Sequence, residues 1–99
     1  MKISGSDITN LQGLNEITFI GFYLTIVQND TLVSLEGLEG LTTINGAFSI
    51  GYNTSIFNRI GLNNVTSIGG YLSIYNNGSL PWKWAQLFRR ANSRNPLTV

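Results

Sequence analysis

The sequence predicts a mainly β fold: a right-handed β-solenoid of about three and a half 24-residue coils, closed by a C-terminal capping helix. Three observations predict it. The same residue types return at a fixed spacing of 24 with no insertion. Each repeat carries a short alternation of apolar and small or polar residues, the period of a strand with one buried face. Glycines recur inside every repeat and break up the helical alternative.

The columns of the repeat are explicit. Leu11 to Leu32, Leu35 to Ile56 and Arg59 to Leu80 align. Gly13, Gly37 and Gly61 share a column, followed by Leu14, Leu38, Leu62; Ile17, Leu41, Val65; and Ile20, Ile44, Ile68. Leu24, Phe48 and Leu72 follow, then Ile26, Ile50, Ile74 and Asn29, Asn53, Asn77. Ile8, Leu32, Ile56 and Leu80 close the unit, so the coils run over 8–32, 32–56 and 56–80 within a repeat domain of residues 1–80. One such unit cannot bury its own apolar face, and stacking coils about 4.8 Å apart does so.

At the amino end, the period places Lys2 in the Ile26 column and Gly5 in the Asn29 column. The first strand is then mostly missing, and the edge of Tyr23–Val27 has only Met1 and Ile3 as apolar cover. An uncapped edge of this kind is a site for self-association. Within each coil, Gly70-Tyr71-Leu72-Ser73-Ile74 shows the strand pattern, with Leu72 and Ile74 facing in and Tyr71 and Ser73 facing out. Leu41-Thr42-Thr43-Ile44 is a second, shorter extended piece whose apolar spacing of three indicates a corner. Asn29, Asn53 and Asn77 follow the strands where the chain turns inward. Their amides suit a ladder that bonds its own turn and the neighbouring coil.

Each ladder asparagine also opens an Asn-x-Ser/Thr sequon, and Asn64-Val65-Thr66 is a fourth. Ser and Thr are ordinary turn residues, so the ladder members are read as structural. Asn64, outside the ladder, stands open between a turn residue and a glycosylation acceptor.

The motif Leu-x-Gly-Leu-x-x-Leu-Thr-x-Ile-x-Gly-x-Leu-x-Ile-x-x-Asn, running from Leu35 to Asn53 with Phe48 in a Leu slot, resembles the receptor L-domain family, which is leucine-rich-repeat-like. The likeness covers about residues 8 to 80 and extends to shorter, cysteine-free extracellular repeat proteins of bacteria and protists. It implies a non-catalytic binding module outside the cell or at its surface, with a protein or glycan ligand. Receptor L domains usually carry disulfides and are longer than this chain, so no receptor contact residue is transferred. Met1-Lys2-Ile3-Ser4-Gly5 has no apolar h-region of a secretory leader.

Past the repeats, Pro81 opens a predicted amphipathic helix over 81–92. Trp84, Leu87, Phe88 and Ala91 form one face, opposed by Lys83, Gln86, Arg89 and Arg90. This helix is expected to lie on the last coil as a lid, and 93–99 reads as a tail. Arg59 interrupts the Leu11/Leu35 column. Its guanidinium is expected to snorkel to water, because burying it unpaired would cost several kcal/mol.

Composition limits the chemistry. The 99 residues include no histidine and no cysteine, which excludes imidazole bases, thiolate nucleophiles, Cys/His zinc sites and disulfides. Residues 1–80 carry Lys2 and Arg59 against Asp7, Glu16, Asp30, Glu36 and Glu39, whereas 81–99 carry four cations and no acid. A net charge of +1 implies no nucleic-acid partner. No apolar run reaches the roughly 20 residues of a membrane span. The carboxylates form no facing pair and no ligand cluster, so neither an enzyme nor a cofactor is expected.

A binding surface is drawn by the outward strand positions. Tyr23, Ala47 and Tyr71 form one column, Thr25, Ser49 and Ser73 the next, and Val27, Gly51 and Tyr75 the third. Tyr23 and Tyr71 should stand roughly 9 to 10 Å apart across a notch floored by Ala47, Ser49 and Gly51. Such a notch suits a sugar ring or a partner side chain, although tyrosine is also simply a good strand former. From a second class of function, the chain would be a structural subunit that assembles through its open edge.

Overall fold

A computed structural model describes residues 1–56, 64–77 and 97–98. The chain is mainly β. It contributes β1 (Lys2–Ile3), β2 (Phe19–Ile20), β3 (Leu24–Val27), β4 (Thr43–Ile44), β5 (Phe48–Gly51), β6 (Ser67–Ile68), β7 (Leu72–Tyr75) and β8 (Leu97–Thr98). Every pairing among them is parallel: one sheet runs β1-β3-β5-β7-β8 and the other β2-β4-β6. No helix occurs among the described residues.

The register follows the sequence period. Leu24 lies beside Phe48 and Phe48 beside Leu72, Ile26 beside Ile50 and Ile50 beside Ile74. In the smaller sheet Ile20, Ile44 and Ile68 are neighbours in turn. The columns are therefore physical stacks. A parallel pair needs a long return connection, and the described returns carry inward residues of their own. Leu11, Leu32, Leu35, Leu38, Leu41, Ile56 and Val65 join the strand residues in a single buried core.

Gly37 illustrates why glycine recurs in its column. Its φ is +117°, and a Cβ there would lie 2.2 Å from the Leu11 carbonyl oxygen of the neighbouring repeat. Only glycine admits both the conformation and the approach. The Gly13 position has the same handedness, φ +102°, but faces open space.

The amino end departs from the predicted register. Ile3, not Lys2, pairs with Ile26, one residue short of the period. A one-residue slip exchanges the faces of a strand, and here it buries Ile3 and leaves the Lys2 ammonium in water. The edge of β3 is consequently covered. The Thr25 N–H donates to the Met1 carbonyl at 2.9 Å, and the Met1 ammonium donates to the Tyr23 carbonyl at 2.7 Å.

At the other end, Leu97–Thr98, expected within a tail, form a strand on the outer edge of β7, with Leu97 beside Leu72. The predicted helix 81–92 with Trp84, Leu87 and Phe88, and the Arg59 position, lie outside the described residues.

Candidate functional site

The structure places the two groups of predicted site residues on opposite sides of the strands, with asparagines inside and the small and aromatic residues outside. The asparagines form a ladder. Asn29 Nδ2 donates to Asn53 Oδ1 at 2.8 Å, and Asn53 Nδ2 donates to Asn77 Oδ1 at 3.0 Å. Each acceptor also takes the backbone N–H of the preceding member, at 3.2 Å and 3.3 Å. The Nδ2 groups reach further, to the carbonyls of Ile3 and Val27 from Asn29, of Ile26 from Asn53, and of Ile50 from Asn77. All three side chains are buried.

The turn that admits them has a cost. Gln28, Tyr52 and Asn76, each directly before a ladder asparagine, adopt left-handed φ values of 58°, 56° and 52°. Such a residue is strained by the order of 1 kcal/mol, and the ladder bonds hold it there. Burial separates three of the four sequons from the last: Asn29, Asn53 and Asn77 are inaccessible, whereas Asn64 is exposed. The Asn64 Nδ2 donates to the Glu39 carbonyl at 2.7 Å.

On the outer face, Tyr23 and Tyr71 are about half exposed and flank the half-buried Ala47. The backbones join through Leu24 N–H to Ala47 O at 2.9 Å and Phe48 N–H to Tyr71 O at 3.0 Å. Thr25, Ser49 and Ser73 make a row of hydroxyls beside them.

The expected floor at Gly51 is not open. A Cβ on Gly51 would meet the Tyr75 ring at 2.2 Å, so the ring lies across the glycine. Tyr75 also packs edge-on against Tyr52, with centroids 5.3 Å apart. The physical reason is that an aromatic ring beside a residue without a side chain gains contact by folding over it. The notch is thereby confined to Ala47 and Ser49 between Tyr23 and Tyr71.

Three exposed aromatics lie outside the predicted site: Tyr52, which packs on Tyr75, and Phe22 and Phe19, 80% and 56% exposed and both close to Tyr23 along the chain. The signal was present in the columns, since Phe22 aligns with Gly46 and Gly70, and Phe19 with Thr43 and Ser67. An aromatic residue in a glycine or hydroxyl column cannot be serving the repeat.

Glu16, Glu36 and Glu39 are exposed. The Gly37 N–H donates to Glu39 Oε1, which ties that carboxylate to its own turn. Among the described residues no group of three or more acidic, His or Cys side chains could hold a metal ion. Nor is any described helix long and apolar enough to cross a membrane. Comparison with protein-family models, curated proteins and solved structures finds no match. The likeness to receptor L domains therefore rests on the motif residues alone.

Proposed function

We propose that this chain is a right-handed β-solenoid of the L-domain-like type that serves as a non-catalytic binding module, acting outside the cell or at its surface. The stacked 24-residue register and the asparagine ladder support the architecture. One observation carries the function: an outer face on which Tyr23 and Tyr71 project on either side of Ala47. Phe19 and Phe22, exposed and close to Tyr23 in the chain, add further aromatic surface. Aromatic rings beside a hydroxyl row, with no charge among the outward positions of β3, β5 and β7, suit a neutral glycan or an uncharged protein surface.

Ala47→Trp tests the reading by filling the gap between the two tyrosines without touching the core. On a glycan array and in a protein-partner screen, the wild-type chain should give a signal that Ala47→Trp and Tyr71→Ala both remove at an unchanged unfolding midpoint. A signal that survives both substitutions refutes the notch as the site. Sedimentation of the same samples separates the module from a structural subunit, which would show mass rising with concentration.

A further inference from the structure

The asparagine ladder is directional, and one end of it is unfinished. The amide nitrogens of Asn29 and Asn53 donate to the asparagine of the next repeat, and the amide oxygens of Asn53 and Asn77 receive from the preceding one. Asn53 and Asn77 Oδ1 are both satisfied in this way. Asn29 Oδ1 is buried and has no hydrogen-bond partner. Turning the Asn29 amide over does not help. Its nitrogen site faces three oxygens, those of Ile3, Val27 and Asn53, and an oxygen placed there would repel all three.

The missing donor has a clear cause. The Gly5 carbonyl makes the same turn bond, to Ile8 N–H, that Asn29 makes to Leu32 and Asn53 to Ile56. Gly5 is thus the counterpart of the ladder asparagines, and it has no side chain. Between Ile3 and Gly5 there is only Ser4, where Val27 and the left-handed Gln28 separate Ile26 from Asn29. β1 therefore occupies the edge of β3 one residue short. It pairs through two residues, against four in the β3–β5 and β5–β7 pairings.

We propose that the edge of β3 now held by β1 is a strand-acceptor site for an extended segment of the pattern apolar-x-apolar-x-x-Asn. This pattern is what Leu24–Asn29, Phe48–Asn53 and Leu72–Asn77 present to one another inside the chain. An incoming strand of this kind sets its two apolar residues where Ile3 is now buried and Met1 half-buried. Its asparagine N–H and Nδ2 then supply the donors that Asn29 Oδ1 lacks. Main-chain bonds give such strand addition its affinity and the side-chain positions give its specificity. The site is distinct from the outer aromatic face.

The test uses the full chain and a fluorescein-labelled peptide with the sequence of residues 70–78, Gly-Tyr-Leu-Ser-Ile-Tyr-Asn-Asn-Gly. Saturable binding is expected in fluorescence anisotropy, weakened about tenfold in a peptide carrying Asn77→Ala, because the buried acceptor is again left unpaired. In hydrogen exchange the Thr25 amide should stay protected in the complex while the Ile3 amide becomes free to exchange. Gly5→Asn in the protein provides the donor to the β1-bound state and should weaken both peptides alike, leaving the difference between them in place. Absence of binding overturns the proposal, and so does equal binding of both peptides to the wild-type chain. Protection of the β3 edge that rises with the concentration of the protein alone also overturns it, by assigning the edge to a second copy.

Discussion

Replacing Asn53 by leucine isolates the ladder, since the side chain keeps about the same volume and loses every polar bond. Asn53 is the middle member, fully buried, with its Oδ1 receiving two donors from Asn29 and its Nδ2 serving Ile26 O and Asn77 Oδ1. Not all partners are orphaned by the change. Asn77 Oδ1 retains the Asn53 backbone N–H at 3.3 Å, and Asn29 Nδ2 retains the Ile3 and Val27 carbonyls. The Asn29 N–H and the Ile26 carbonyl lose their side-chain partner. At about 1–3 kcal/mol for each of the two buried groups so deprived, less about 1 kcal/mol for the apolar side chain gained, the net loss is about 1–5 kcal/mol. That is a large part of the roughly 5–15 kcal/mol that stabilises a domain. Asn29→Leu should cost about 1–2 kcal/mol less, because it also removes the Oδ1 that is already unpaired. Urea unfolding followed by far-UV circular dichroism, with unchanged slope, measures both. The reasoning is refuted if Asn53→Leu stays within about 0.5 kcal/mol of wild type, below the cost of even one orphaned buried group, or if Asn29→Leu is the more damaging of the two.

Gly37→Ala should destabilise the chain by more than about 3 kcal/mol, since its Cβ meets the Leu11 backbone at 2.2 Å, whereas Gly13→Ala meets nothing and should cost only about 1–2 kcal/mol of conformational strain. Equal unfolding midpoints for the two variants would contradict this. Gly51→Ala should swing the Tyr75 ring away from the strand and release its edge-on contact with Tyr52, at a cost of about 1 kcal/mol. Loss of the cross-peaks between the two rings in NMR is the direct readout, and their persistence would show that the backbone moved instead. If the chain is secreted from a host that glycosylates Asn-x-Ser/Thr, peptide mapping of folded material should find glycan at Asn64 and none at Asn29, Asn53 or Asn77. A glycan on any ladder asparagine in folded protein would contradict their burial.

The stack was already written in the amino-acid order. A spacing of 24 maintained through Leu24, Phe48 and Leu72, and through Asn29, Asn53 and Asn77, has a simple cause: residues that touch their own counterparts must be alike in size and polarity. The strand residues, the buried side of each strand, the ladder and the exposed Tyr23 and Tyr71 were legible for that reason. The columns also held a warning at Phe19 and Phe22, whose neighbours in the stack are hydroxyl and glycine residues. Packing in three dimensions settled the places where the period stops being the strongest constraint. At the amino end, keeping register would have buried Lys2. The cost of desolvating an ammonium exceeds that of a shortened turn, so Ile3 slipped inward and β1 closed the edge that had looked open. At Gly51 the period sets only the backbone, and the Tyr75 ring took the space a side chain would have filled. Leu97–Thr98 joined β7 from beyond the last repeat, a pairing that no spacing within the repeats encodes. Asn29 Oδ1 is the product of both levels: the repeat supplies the acceptor, and the slipped first turn removes its donor.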